Sequence, residues 1–180
     1  MVASNSQTWE VEIGCGKGKF LLARAEENPK TFFIGIDKAG KWMKKSAARL
    51  EKKRLNNLKF IKGDVREVLE KIIPKKSVDV FHIYFPDPWP KRRHNKRRTL
   101  DGDFFLLLHE RLKSKGLIEI ATDYLDYFNA IKKVLSQSKI AWKKNRETIN
   151  ERLFCAETKT NYELKYTAAR RDLYYLELQK

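Results

Sequence analysis

The chain has 180 residues, 42% of them hydrophobic, and carries 39 Lys and Arg against 23 Asp and Glu for a formal charge of +16. That length supplies one well-cored domain and excludes two comfortable ones, while so large a positive excess attracts polyanions, nucleic acid before an anionic membrane. A soluble, unsecreted protein of the reducing cytoplasm is expected: no stretch approaches the ~20 apolar residues of a membrane span, MVASNSQTWEVEI has no leader-like regions, and Cys15 and Cys155 lack C-x-x-C spacing.

Apolar runs that read as buried strands are WEVEI (9–13), FFIGI (32–36), LKFI (58–61), VDVFHIYF (78–85) and LIEIA (117–121). Between them the spacing predicts helices over 20–27, 41–54, 65–72 and 104–112. A helix over 124–136, a strand near 140–143, a polar loop and a last strand over 172–178 follow. Strands apolar almost throughout, alternating with helices, predict an α/β Rossmann-like fold. Its sheet is mostly parallel, with helices on both faces, and it binds ligands beyond the carboxyl ends of the strands. Loops 14–18, 37–40 and 86–100 therefore matter most, and the whole chain reads as one domain.

The first of these loops, EIGCGKG, ends the first strand. Gly14, Gly16 and Gly18 let the backbone turn tightly and bring a ligand against bare main chain. Asp37 ends the second strand about twenty residues on, where an acid accepts hydrogen bonds from ribose hydroxyls. Asp64, in KGDVREV, ends the third strand. With Glu12, these acids at adjacent strand tips describe an adenosine pocket. The spacing G-x-G-x-G differs from the dinucleotide pattern G-x-G-x-x-G, which points away from a nicotinamide cofactor. Blander readings stand beside this one: the glycines form a tight turn, and Asp64 caps the helix that follows.

The run FPDPWPKRRHNKRR, 85–98, holds the Asp87 carboxylate among prolines and Trp89, then issues a cationic arm. The prolines fix φ near −65° and so restrict where that carboxylate points. A second basic face lies over 41–54, with Lys38, Lys41, Lys44, Lys45, Arg49, Lys52, Lys53 and Arg54 against Glu51. Two such surfaces suit a folded RNA read by backbone shape, although charge runs are often only solvated surface. His82, inside a strand, reads as a satisfied core residue. His82, His94 and His109 have no metal spacing, and no metal is expected. Thr160-Asn161-Tyr162-Glu163 fits a capping box, and Asp123 is placed to cap the helix near 124.

EIGCGKG, Asp37, Asp64, FPDPWPKRRHNKRR, ATD (121–123) and TNYE (160–163) together resemble the bacterial-type tRNA (guanine-N7)-methyltransferase family, from about Trp9 to the C-terminus. The resemblance implies a class I methyltransferase that moves a methyl group from S-adenosylmethionine, leaving S-adenosylhomocysteine, to N7 of a guanosine in the tRNA variable loop, position 46. By motif position it implies that Glu12, Gly14, Gly16, Gly18, Asp37, Asp64 and Asp87 meet the cofactor, with Asp87 also catalytic. Lys91, Asp123, Thr160, Asn161, Tyr162 and Glu163 would meet the target nucleoside, and Arg93, His94, Asn95, Lys96, Arg97 and Arg98 would touch tRNA. Asn161 and Tyr162 stand where the familiar motif has Lys and Phe, and the segment before the first strand is shorter than is usual, from a short member or a trimmed chain. A monomer or homodimer without an obligate protein partner is expected.

The chemistry agrees from below. Guanine N7 carries a lone pair and no proton, so its methylation needs alignment and charge management and no general base. A nicotinamide-dependent dehydrogenase would share the fold but give the cationic arm no role. A non-catalytic RNA-binding domain would leave the acid-lined glycine loop idle. Methylation of an exocyclic amino group is the nearest competitor; its enzymes often use an acid–proline–proline–aromatic turn, whereas here Asp87-Pro88-Trp89 stands.

Overall fold

A computed structural model describes residues 7–154 and 157–180, and omits the side chains of 42–44 and 144. Cys155, the first six residues of the segment read for a leader, and the Lys44 side chain lie outside the described residues.

In chain order the elements are β1 (Thr8–Ile13), α1 (Lys19–Glu27), β2 (Thr31–Asp37), α2 (Gly40–Lys53), β3 (Leu58–Lys62), α3 (Val65–Lys71) and β4 (Val78–Tyr84). A 3₁₀ helix (Arg92–Arg97), α4 (Gly102–Arg111), β5 (Leu112–Thr122), α5 (Leu125–Gln137), β6 (Lys144–Ile149), α6 (Asn161–Ala168) and β7 (Tyr174–Gln179) follow. The strands form one sheet in the order β3-β2-β1-β4-β5-β7-β6. The first five are parallel, and β7 runs antiparallel between β5 and β6. The chain winds outward from β1 through β2 to β3, then returns to the other side of β1 as β4. The order therefore reverses between β1 and β4, where open α/β sheets have their ligand crevice beyond the carboxyl ends.

Helix starts follow local chemistry. Asp64 accepts from the Arg66 amide at 3.0 Å and Asp101 from the Phe104 amide at 2.9 Å, satisfying N–H groups that α3 and α4 would otherwise leave bare. Thr160 and Glu163 form the reciprocal capping box of α6, with the Glu163 amide 3.1 Å from Thr160 Oγ1 and the Thr160 amide 2.6 Å from Glu163 Oε2.

The two sheet faces differ in chemistry. Val11, Ile13, Ile34, Ile36, Phe81, Ile83, Ile118 and Ile120 pack against α3, α4 and α5 in a wholly apolar core. Residues alternate sides along a strand, so Glu10, Glu12, His82, Tyr84, Glu119 and Tyr175 occupy the opposite face, with α1, part of α2 and α6 over it. Strands expected to be apolar almost throughout are so on one face only, and the other face is polar along its centre.

One correction concerns the strand expected near 140–143. Ile140 and Trp142 pack against the apolar core as loop residues, Trp142 edge-on to His109 at 5.2 Å, and the strand lies instead at β6. Its sequence, KNRETI, has no apolar run because it is an edge strand ordered by backbone pairing to β7. Another is Asp123, which does not cap α5: the Tyr124 amide bonds to Thr122 Oγ1 at 3.2 Å.

Gly35 lies in β2 beneath α1, where an added Cβ would stand 2.7 Å from Phe60 Cδ1, 2.8 Å from Cys15 Sγ and 2.8 Å from Leu21 Cδ1. Gly35→Ala is expected to cost about 1–3 kcal/mol by overpacking. A lower urea midpoint at unchanged m value would show it, and an unchanged midpoint would mean that this face is loosely packed.

Candidate active site

The site is assembled on both sides of the β1/β4 reversal. On one side the loop after β1 is pinned to the end of β2: the Gly14 and Cys15 amides donate to the Ile36 carbonyl at 2.8 and 3.2 Å. The Gly16 amide donates to Asp37 Oδ2 at 2.7 Å, while Asp37 Oδ1 accepts from Ala39 at 2.7 Å. Gly14 and Gly16 have φ of 75° and 50°, and a Cβ on either would meet nothing within 4 Å, so the loop presents bare backbone to open space. Gly18 is different, since a Cβ there would strike the Phe60 ring. Asp64 stands one strand further out, bonded to Lys38 at 3.3 Å as well as capping α3.

Glu12 lies beneath this loop, buried, and its Oε2 has no hydrogen-bond partner. Burial pushes its pKa up to about 8, against the pull of His82 and Arg152. An acid buried with an open acceptor beside exposed main chain fits a ligand that brings a donor or a positive charge. A nucleoside-type cofactor could thus be held by Glu12, the Gly14–Gly16 backbone, Asp37 and Asp64.

On the other side of the reversal the chain leaves β4 through a strained turn. Phe85 and Trp89 have φ of 52° and 43°, left-handed values that cost a non-glycine residue energy. The Phe85 amide donates to the Ala121 carbonyl at 2.7 Å, extending the β4–β5 ladder by one residue, and Asp87 then projects into solvent. The arm folds back on this turn as the 3₁₀ helix. Arg97 lies over the Trp89 ring at 4.9 Å, His94 meets it edge-on at 5.9 Å, and Arg98 donates to the Pro88 carbonyl at 2.8 Å. Lys91, Arg93, Asn95 and Lys96 are exposed.

The start of α6 joins the two sides. Asn161 Oδ1 accepts from Lys19 of α1 at 3.4 Å, while Tyr162, 53% exposed, lies against Phe85 with ring centroids 5.9 Å apart. Thr160 and Glu163 face inward. Glu163 is buried, with Oε1 accepting from Tyr175 at 2.9 Å and Oε2 from both the Thr160 amide and Arg152. Asp123, at the end of β5, accepts from Arg171 at 2.7 Å. Among the residues singled out in the sequence, Gly14, Gly16, Asp87 and Tyr162 are open, whereas Asp37, Asp64, Asp123, Glu163 and Arg98 are bonded within the protein.

The family model described as "Putative methyltransferase" matches residues 6–176. The chain belongs to this methyltransferase family. It is 42% identical over 127 residues to the tRNA (guanine-N(7)-)-methyltransferase of Nitrosococcus oceani, covering 71% of this chain and 54% of that protein. To the enzyme of the same name from Geobacter metallireducens it is 39% identical over 126 residues, covering 70% and 60%. The chain thus spans just over half the length of the curated relatives that it matches. Among solved structures the 16S rRNA methyltransferase KamB superposes with a TM-score of 0.69 at 15% identity, over 96% of this chain and 87% of that one. An antibiotic-related methyltransferase gives 0.64 at 21% identity over the same shares. These likenesses establish the class I methyltransferase fold.

Sequence reasoning missed the network under the site. His82 bonds to Glu10 through Nε2 at 2.9 Å and to the Tyr84 hydroxyl through Nδ1 at 2.7 Å, and Tyr84 donates to Glu119. Burial works against charging this ring, yet Glu10 and Glu119 outweigh it and raise the pKa above the ordinary histidine value. Arg24 donates to Glu10 at 3.0 Å, and Arg152 lies over the Tyr84 ring at 4.3 Å while bonding Glu163. His82 is the satisfied core residue expected. The signal was present in the alternation WEVEI, FHIY and LIEI, which puts Glu10, His82 and Glu119 on one face once the strands are laid in register.

Glu12 makes a pH-dependent prediction. Its folded pKa near 8 exceeds its ordinary 4.5, so between those values the folded chain holds a proton that the unfolded chain releases. Stability from this group therefore falls as pH rises through that window. Glu12→Gln is expected to match the parent near pH 5 and to gain on it by about 1–4 kcal/mol at pH 8, each pH unit being worth at most about 1.4 kcal/mol. Thermal unfolding of both proteins over that range checks it, and a gap independent of pH would refute the assignment.

Proposed function

We propose that the chain carries the methyl-transferring domain of an S-adenosylmethionine-dependent tRNA (guanine-N7)-methyltransferase, acting in the cytoplasm on a variable-loop guanosine. The observation that carries this reading is the juxtaposition across the β1/β4 reversal: an open glycine cradle with a buried, partly unbonded acid on one side, and on the other an exposed carboxylate on a rigid turn with cations beside it. The names of the relatives agree with it.

S-adenosylmethionine, when bound, supplies a methyl group on a positively charged sulfur. Glu12, the loop backbone, Asp37 and Asp64 would hold it. Guanine N7 has no proton to lose, so the protein's task is alignment and charge management. As methyl transfer proceeds, positive charge builds on the purine, and the Asp87 carboxylate would stabilise that charge or accept from the N1–H and N2 amino edge. Tyr162, exposed beside Phe85, offers an aromatic face to a base lifted from its stack. Lys91, Arg93 and Lys96 would meet phosphates, and their neutralisation would make affinity fall with salt.

The test is nucleoside analysis of tRNA incubated with labelled S-adenosylmethionine, with 7-methylguanosine expected in the digest. Label in N2-methylguanosine or in a methylated ribose would overturn the reading. Asp87→Asn keeps shape and removes charge. A fall in kcat of about 10²-fold or more, the scale of losing one preorganised electrostatic group, is expected at saturating tRNA and cofactor.

A further inference from the structure

The eight residues from Lys91 to Arg98 read as one cationic arm, but the structure separates the last of them from the rest. The Arg98 side chain is 10% exposed, whereas Lys91, Arg92, Arg93, Lys96 and Arg97 lie on the surface. Two of its three guanidinium nitrogens bond within the protein. Nε donates to the Pro88 carbonyl at 2.8 Å, Nη2 donates to Asp126 Oδ2 in the first turn of α5 at 2.8 Å, and the planar group lies over the Tyr127 ring at 4.7 Å. A bidentate phosphate contact would have to displace at least one of these bonds, because every pair of guanidinium nitrogens includes Nε or Nη2.

The Pro88 carbonyl belongs to the residue that follows Asp87. Proline fixes φ of Pro88, so a bond to its carbonyl fixes the remaining torsion and the plane of the Pro88–Trp89 peptide. That peptide leads into Trp89 at φ 43°, in a left-handed conformation that relaxes unless something holds it. The other end of the turn is held by the Phe85 amide on Ala121. At this end Arg97 and His94 touch the Trp89 ring, but Arg98 bonds the turn's backbone, and it ties the turn to α5 at the same time.

We infer that Arg98 is a positioning residue that locks the turn carrying Asp87, and is not one of the tRNA-binding cations. The inference rests on the proposed role of Asp87 for its effect on rate, but the geometry of the turn can be read without it. The two bonds use two nitrogens of one rigid fork, which lysine lacks. Charge alone therefore cannot replace Arg98, whereas a phosphate contact would keep most of its value with lysine.

Arg98→Lys, Arg98→Ala and, as a surface comparison, Arg93→Ala should be followed by steady-state kinetics, by tRNA filter binding over a salt series, and by hydrogen–deuterium exchange at the hydrogen-bonded Phe85 and His94 amides. Both Arg98 variants are expected to exchange faster at those amides and to lose about 10²-fold in kcat, the scale of a misplaced reacting group. Their tRNA affinity and salt slope should stay as in the parent. Arg93→Ala should instead leave exchange unchanged and lower the salt slope by about 0.7–0.9. Rescue of kcat by lysine, or a fall in salt slope in Arg98→Ala with exchange unchanged, would overturn the proposal. Should the parent protein fail to methylate guanine N7, the functional reading fails, and exchange in Arg98→Lys still decides whether Arg98 locks the turn. If Arg98→Ala does not fold, Asp126→Ala, which removes one of the two bonds at an exposed side chain, takes its place with the same expected direction.

Discussion

The turn that follows β4 is the constraint on which the site depends. A chain leaving a central parallel strand would ordinarily run on into a loop, but here two non-glycine residues, Phe85 and Trp89, adopt left-handed φ within five residues. Each such residue costs about 1–3 kcal/mol, and both precede prolines, whose rings further narrow the conformations open to them. The turn persists because its surroundings hold it: the Ala121 carbonyl at one end, the Phe85–Tyr162–Tyr166 rings on one flank, and Arg97 and Arg98 folded back from the arm. The acid and the cations adjoin in sequence because some of the cations hold the acid in place.

The polar face of the sheet supplies the second level of support. Burying Glu10, His82, Glu119, Arg152 and Glu163 would be costly singly, since an unpaired buried charge loses several kcal/mol of hydration. Here each carboxylate has a donor. Arg24 and His82 bond Glu10, Tyr84 and the Phe154 amide bond Glu119, and Arg152, Tyr175 and the Thr160 amide bond Glu163. The network reaches from β1 to the first turn of α6 and so fixes the helix that presents Asn161 and Tyr162 to the site. Among the described carboxylates buried on this face Glu12 is the exception, with an oxygen unbonded, and it lies under the glycine cradle.

Much of this was legible in the sequence, for reasons that can be named. The five parallel strands showed as apolar runs, and Gly14 to Gly18, Asp37 and Asp87 showed because turns and strand tips restrict residue type. The capping box of α6 could be read from Thr160 and Glu163 alone. What could not be read depended on tertiary partners. Strand β6 carries no apolar period because its order comes from β7, and Trp142 mimicked a strand by packing, half-buried, against the core from a loop. Arg98 was indistinguishable from Arg97 in sequence, since only the fold brings Pro88 and Asp126 to its two nitrogens. Asp123 stood at a plausible cap position, but Arg171, far along the chain, takes its carboxylate.

The central claim is that one guanine is delivered to one fixed carboxylate. The most direct measurement is borohydride–aniline cleavage of a single tRNA transcript after reaction with S-adenosylmethionine, read at nucleotide resolution, because strand scission marks 7-methylguanosine where it lies. One cleavage is expected, at the variable-loop guanosine, absent when Asp87→Asn replaces the parent in an equal-time reaction. Cleavage scattered over many guanosines, or none in tRNA that has taken up label, would contradict it.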